Sequence, residues 1–336
     1  MSELPYACGT PPLTARLRAS PEDFQVEEIL GYDADGAGEH VLLWVEKRGA
    51  NTDWVARELA RFAGVAPVAV GYAGLKDRHA VTRQTFSLQL AGKPDPDWST
   101  FPHAEVKVLA ATRHSRKLKR GALRGNRFVL VLREVQGDRE AAEQVLQQIA
   151  ARGVPNYYGE QRFGREGGNV AQARAMFAGR RVERSKRSFL LSAARSQIFN
   201  EVLAARVERQ AWDTPLAGEI WSLAGSRSWF GPEPFTAVLA ERLARGDIHP
   251  SGPLWGQGEP PTQDEAGALE REIGAAHQDL ADGLAAARMD QERRPLRLLP
   301  HDLKWRWLAD DALELVFELP AGAYATVVVR ELAAVM

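Results

Sequence analysis

The chain has 336 residues, 45% of them apolar and 26% charged, a composition that excludes collagen-like, coiled-coil and wholly disordered chains and leaves room for two domains. A single cysteine, Cys8, cannot close an intramolecular disulfide, and one thiol with seven histidines argues against a structural zinc cluster, so the cytoplasm is the expected compartment. No apolar run approaches the roughly 20 residues that span a bilayer, and Glu3 and Pro5 stand where a leader needs a basic flank, so neither export nor membrane insertion is expected.

In chain order, Phe24 to Ile29 alternates apolar and polar and predicts a strand. The Gly- and Asp-rich stretch Gly31 to Glu39 turns it back into a second strand, Val41 to Val45, as a hairpin. Asn51 or Thr52 caps a predicted helix with Val55, Leu59 and Phe62 on one face, ending at Gly64. Val68 to Tyr72 is a short strand running into Gly74. Alternation returns at Phe86, Leu88 and Leu90 and at Val106 and Val108, and Phe128 to Leu132 is strongly β-prone. Asp138 caps a helix through Ala150 that Gly153 closes. Several strands before the second helix point to an antiparallel or mixed sheet with helices packed on it, an α+β protein.

After Pro155 the character changes. Asn156 to Asn169 is Gly-rich and aromatic, and a long helix from about Ser188 to Ala211 buries Leu191, Ile198, Val202 and Leu203. The remainder reads mostly as helix and loop, with helices at Phe235 to Ala244 and Asp264 to Met289 flanking a loop, Pro250 to Pro261, marked by its prolines and glycines. Leu313 to Leu319 reads as a strand, followed by a loop to Tyr324 and a final helix. The economical organisation is one sheet domain, residues 1–153 and 299–336, interrupted by a mostly helical insertion, residues 154–298.

The net charge of −1 hides a segregation. Eight cations (Arg113, Arg116, Lys117, Lys119, Arg120, Arg124, Arg127, Arg133) fall within 21 residues that hold no acid. Eight more (Arg162, Arg165, Arg174, Arg180, Arg181, Arg184, Lys186, Arg187) accompany only Glu166 and Glu183, while acids collect between Glu259 and Glu292. Aromatics lie among these cations: Phe128, Tyr157, Tyr158, Phe163 and Phe177. Cations neutralise phosphates and rings stack on bases, so this pattern suits an RNA with unstacked bases; the plainer reading is two solvated basic faces balanced by an acidic helix.

Standard chemical signatures are missing: no phosphate-binding Gly-rich loop ending in Lys-Ser/Thr, no dinucleotide fingerprint, and no histidine pair at metal-ligand spacing. What remains is Gly74-Leu75-Lys76-Asp77-Arg78-His79-Ala80-Val81-Thr82-Arg83-Gln84, which sets a carboxylate among cations at the end of a strand. Such neighbours favour an ionised base or nucleophile, although Gly and Asp are also ordinary turn residues.

That segment resembles the nucleophile motif of the tRNA pseudouridine synthase D (TruD) family, enzymes that isomerise the uridine at position 13 of certain tRNAs. Five more segments agree in order: Ser20-Pro21-Glu22-Asp23-Phe24, Gly121-Ala122-Leu123-Arg124-Gly125-Asn126-Arg127-Phe128, Pro155-Asn156-Tyr157-Tyr158-Gly159-Glu160-Gln161-Arg162-Phe163-Gly164, Ser192-Ala193-Ala194-Arg195-Ser196, and Leu319-Pro320-Ala321-Gly322-Ala323-Tyr324-Ala325-Thr326 with Arg330-Glu331-Leu332. Together they run from about Thr14 to Leu332. The resemblance implies a pseudouridine-synthase-like catalytic sheet domain and a family-specific insertion that forms the second wall of a cleft for tRNA. It implies no metal, no cofactor and no protein partner, and a monomer is expected.

By the same resemblance Asp77 attacks a flipped-out uridine, the bond from ribose to N1 breaks, and the uracil turns and rejoins through C5. Phe128 is the stacking residue, although it reads equally as a core aromatic. Phe24, Asn126 and Tyr324 line the uridine site, Tyr324 standing where the family usually has phenylalanine. Arg18 takes the place of a usual lysine and either pairs with Asp77, meets a phosphate or is a surface residue. Two other readings stand beside this one. A noncatalytic tRNA-binding protein would use the same arginines and rings, and a nucleosidase or glycoside hydrolase would pair Asp77 with Glu27 or Glu28.

Overall fold

A computed structural model of the chain describes residues 4–164 and 167–336; Glu3, Arg165 and Glu166, used above, lie outside the described residues. The elements begin with β1 (Leu13–Leu17), β2 (Phe24–Ile29), β3 (His40–Arg48), α1 (Thr52–Phe62), β4 (Val70–Tyr72), β5 (Val81–Gln89), β6 (Val106–His114) and β7 (Gly125–Gly137). Next come α2 (Arg139–Arg152), β8 (Val154–Pro155), α3 (Gly168–Phe177), α4 (Arg184–Glu208), β9 (Trp221–Leu223), β10 (Trp229–Phe230), α5 (Ala237–Arg245) and β11 (Ile248–Leu254). The chain closes with α6 (Asp264–Ala276), α7 (Gln278–Ala286), β12 (Glu292–Pro295), β13 (Arg297–Leu298), β14 (His301–Ala309), β15 (Ala312–Pro320), α8 (Ala325–Leu332) and β16 (Ala333–Val335).

Two compact units result. The sheet unit comprises Pro12–Arg139, Pro300–Ala323 and Ala333–Met336. Its strands follow the order β14-β15-β7-β2-β5-β3-β6, with β1 on β7 and β16 and with β4 on β5. The pairing is mixed: β2 runs parallel to β5, and β7 is antiparallel to both β2 and β15. The other, mainly helical, unit comprises Glu140–Leu299, Tyr324–Leu332 and the described part of Met1–Pro11. It carries small sheets of its own, β10-β9-β11-β12 and β13-β8.

Alternation explains the core of the sheet unit. Val41, Leu43 and Val45 of β3 lie opposite Leu88, Phe86 and Gln84 of β5, and the apolar side chains among them pack with Val55 and Leu59 of α1. Helix α1 starts where Asn51, in extended conformation, accepts a hydrogen bond from the Asp53 amide, which satisfies one donor of the first turn. Leu59 is fully buried, so truncating it to alanine costs about 2–5 kcal/mol.

Several expectations change. Strands β2 and β3 do not form a hairpin, because β5 lies between them, parallel to one and antiparallel to the other. Six of the nine residues of β5 are buried, and a backbone so far from water needs hydrogen-bond partners on both edges. The expected loop at Pro250 begins with strand β11, which pairs with β9 over residues 248–250 and with β12 over residues 251–254. Pro250 ends the pairing with β9 and Pro253 lies beyond it, positions where a residue without an N–H is tolerated. Strand β14 escapes sequence reading because it is an edge strand whose residues stay largely exposed. The helix expected over residues 264–289 is two helices, broken at His277, whose backbone (φ −119°, ψ 36°) is not helical. Helix α4 starts and stops earlier than expected, ending just before Gln210, which adopts a left-handed backbone.

Candidate active site

The loop between β4 and β5 carries Asp77. One carboxylate oxygen accepts from the His79 amide at 2.9 Å, forming a tight turn. The other meets Arg18 Nη2 at 2.7 Å, both side chains being 27% exposed. Arg18 directly follows β1 with a left-handed φ of 63°, a conformation that costs a non-glycine residue about 1–3 kcal/mol and persists where surrounding structure enforces it. Its guanidinium lies 4.0 Å from the centroid of the Phe24 ring. Arg18 therefore links the carboxylate to the aromatic floor.

Behind the loop lies a sealed polar network. Lys76 Nζ contacts Glu28 Oε2 at 3.0 Å, with side-chain exposures of 6% and 0%, and donates to Asn126 Oδ1 at 2.6 Å. Glu28 also accepts from the Thr85 amide. Thr52, the first residue of α1, accepts from the Lys76 amide at 3.1 Å and donates to Gln84, which in turn donates to the Gly74 carbonyl. Lys47 is fully buried and donates to the carbonyls of Ala50 and Asp77 at 2.8 and 3.1 Å. Burial pulls its ammonium down to about 8, against the opposing pull of the Asp77 charge. The backbone before and at Asp77 is thus held at Gly74, Lys76 and Asp77.

The sheet register places the remaining residues on the same face. Glu28 lies opposite Asn126, and Val26 opposite Phe128; Phe128 lies opposite Phe317. The Phe128 ring stacks on Phe317 at 5.6 Å and meets Phe24 edge-on at 6.3 Å. Phe24 and Phe128 are 4% and 6% exposed. Arg18, Phe24, Asp77, Asn126 and Phe128 are therefore joined by direct contacts or through Lys76. Tyr324 belongs to the helical unit. There Arg162 donates to its hydroxyl at 2.9 Å and to Ser192 at 2.7 Å, and the Tyr324 ring meets Tyr158 edge-on. The hydroxyl that distinguishes tyrosine from phenylalanine is used by Arg162. Arg294, whose ordinary value burial lowers, stacks over Tyr158 at 4.2 Å.

Sequence reading missed Lys47, Thr52 as a loop anchor, Gln84, and the role of Glu28. A signal existed. Glu28 continues the inward series Phe24, Val26, and Lys47 continues the series Val41, Leu43, Val45, so each places a charge on the apolar phase of a strand, which demands a partner. Of the basic zones, Arg113 pairs with Asp95, Arg133 with Asp23 and Arg174 with Asp279. Among the described residues, Arg116, Lys119, Arg127, Arg180, Arg181, Arg184, Lys186 and Arg187 have no carboxylate at ion-pair distance. No group of three or more potential ligands that could hold a metal ion occurs among the described residues, and no described helix is long and apolar enough to cross a membrane. Cys8 is a poor nucleophile, its thiol pushed up to about 11 by burial and by Glu331.

The family model described as tRNA pseudouridine synthase D (TruD) matches residues 2–171 and 171–332. A tRNA pseudouridine synthase D of Xanthomonas campestris pv. campestris (strain 8004) is 55% identical over 348 residues, covering 99% of this chain and 95% of that relative. One from Nitrosococcus oceani is 53% identical, covering 96% and 92%. The crystal structure of a candidate tRNA pseudouridine synthase D from Methanosarcina mazei superposes with a TM-score of 0.76 over 97% of this chain and 95% of the other, at 21% identity, a likeness of fold.

Proposed function

Because the chain belongs to the tRNA pseudouridine synthase D family and converts uridine to pseudouridine in tRNA, we propose that Asp77 is the nucleophile, acting on a uridine flipped out at position 13. An Asp77 oxygen bonds to the target nucleotide, the bond between N1 and the ribose breaks, and the uracil turns. C5 then bonds to the ribose carbon, the C5 proton leaves, N1 regains a proton and Asp77 is released. Atoms and electrons balance within one nucleotide, so the step consumes nothing.

The observation that supports this reading most directly is the held geometry of Asp77. Its backbone is anchored from within by Lys47, and its carboxylate is oriented by Arg18 and the His79 amide. A nucleophile set in place before the substrate arrives avoids reorganisation at the moment of reaction. Phe24 and Phe128 form the apolar floor against which a uracil turns. Asn126 gives its carbonyl oxygen to Lys76, which leaves its amide nitrogen to donate to a uracil carbonyl or ribose hydroxyl. By family resemblance Tyr324 also lines the uridine site, its hydroxyl taken by Arg162. The sheet unit carries the chemistry, and residues 154–298, within the helical unit, form the family insertion; the protein works as a cytoplasmic monomer.

A hydrolase with paired carboxylates is disfavoured by the partners of Glu28, which is committed to Lys76 and the Thr85 amide, and by Glu27, which faces Arg83. The test is to incubate the protein with unmodified tRNA transcripts and map pseudouridine by chemical derivatisation and reverse-transcription stops. Pseudouridine at position 13 is expected, with tritium released from uracil C5; product at another position overturns the site assignment, and free uracil overturns the isomerisation.

A further inference from the structure

A cavity of about 530 Å³ opens in the sheet unit between α1, β4 and the segment that precedes β7. Asp77 is not among its lining residues. Its walls carry Arg57, Lys117, Lys119 and Arg120 against one carboxylate, Asp53. Lys117 donates to the Val68 carbonyl, and Arg120 lies 3.9 Å from Asp53. Among the described residues Arg57 and Lys119 have no carboxylate partner, so the cavity holds an excess of positive charge at its rim. The wall is fixed rather than loose. The Leu118 amide donates to Ser87, the Gly121 amide donates to the Ala73 carbonyl, and Gly71 lets the Leu118 carbonyl approach so closely that a β-carbon there would meet it at 2.4 Å. The Arg120 guanidinium lies 3.8 Å from the centroid of the Tyr72 ring and donates to its hydroxyl, which donates to Asp53, while the Arg120 side chain remains 60% exposed. The aromatic side chain holds the guanidinium on one side and leaves most of the arginine in solvent.

From this arrangement we propose that the cavity binds one unpaired nucleotide of the tRNA other than the target uridine: its base packs on the exposed guanidinium of Arg120 and its phosphates meet Lys119 and Arg57. A planar cation backed by a ring is a platform for any base, and unpartnered ammonium and guanidinium groups beside it suit the flanking phosphates. The proposal rests on tRNA being the substrate. It gives the first basic zone a defined task, and because residue 121 is tied to residue 73 it places this nucleotide's site next to the start of the Asp77 loop.

Two variants of the full chain separate charge from stacking. Arg57→Glu with Lys119→Glu is expected to weaken binding of unmodified tRNA at least tenfold and to make the dependence of log affinity on log salt shallower by about one to two units, as for one or two lost phosphate contacts. Arg120→Lys keeps the charge but loses the plane, so affinity falls about tenfold while the salt slope stays at the wild-type value. All three positions are exposed, and circular dichroism confirms folding. Unchanged affinity and slope in the double variant overturn the proposal and leave the basic wall to a protein partner. Wild-type affinity in Arg120→Lys overturns the stacking arrangement. Pseudouridine formation by the wild-type protein on the same transcripts is scored separately; its failure refutes the catalytic reading and not the nucleotide site.

Discussion

Two ion pairs on consecutive residues of one loop have opposite surroundings. Lys76 and Glu28 are sealed, at 6% and 0% exposure, and every neighbouring hydrogen bond leads back into α1, β5 or β7. Asp77 and Arg18 are each 27% exposed, and Arg18 lies over the Phe24 ring. A sealed pair contributes little net stability when intact but is costly to break, because one charge is left buried alone. A part-exposed pair is worth about 0–1 kcal/mol and can exchange partners cheaply. The inner pair therefore fixes the loop, while the outer pair orients the carboxylate and leaves it within reach of solvent.

The contrast is sharpened first at the reacting group. Asp77→Asn is expected to lower turnover by about 10⁴-fold or more, read as tritium release, while tRNA affinity and melting temperature stay near wild type; a drop below tenfold would remove Asp77 from the chemistry. Glu28→Gln strands the Lys76 ammonium and should cost about 3–5 kcal/mol in urea denaturation. A cost under 1 kcal/mol would mean that the inner pair is no scaffold.

The third prediction concerns pH. Lys47 releases its proton near 8 in the folded protein instead of 10.5, so between those values the unfolded chain binds a proton that the folded chain does not. Stability from this group therefore rises with pH through that window, and the cost of the buried ammonium is fully present below it. Relative to Lys47→Met, the wild type should gain roughly 1 kcal/mol per pH unit from pH 8 to 10.5; parallel curves would contradict the assignment. Thr52→Val keeps the shape of the α1 start but deletes the bonds to Lys76 and Gln84, and is expected to cost about 1–2 kcal/mol. The smallest effect on stability is that of Arg18→Gln, under about 1 kcal/mol, accompanied by a drop in kcat/KM. The opposite pattern, a large stability loss with full activity, would invert the roles of the two pairs.

The legible parts of the molecule were those written locally. Alternation marked β2, β5 and β7, the Asn51 cap and the Val55, Leu59 period marked α1, and an ordered set of motifs marked the site. Neighbour order in the sheet was not legible, because β5 slips between β2 and β3 through burial on both faces, which no short window reveals. Strand β11 was masked by Pro250 and Pro253, and β14 by its exposure at an edge. At the site, Asp77, Asn126 and Phe128 sit inside recognisable segments. Their supports do not: Glu28, Lys47 and Thr52 lie 24 or more positions from the loop residues they hold, within segments that read as ordinary strand or helix cap. Only their charge on an inward phase gave Glu28 and Lys47 away.

Strand β7 also sets a schedule for biosynthesis. One of its edges is covered by β1 and β2, which precede it, but the other waits for β15, with Leu132 facing Leu313. At ribosomal speed that partner emerges roughly ten to forty seconds later. Throughout that interval the eight residues of β7 that β15 later pairs, Gly125 to Leu132, show an unsatisfied hydrogen-bonding margin, the first place where a stalled or truncated nascent chain would aggregate.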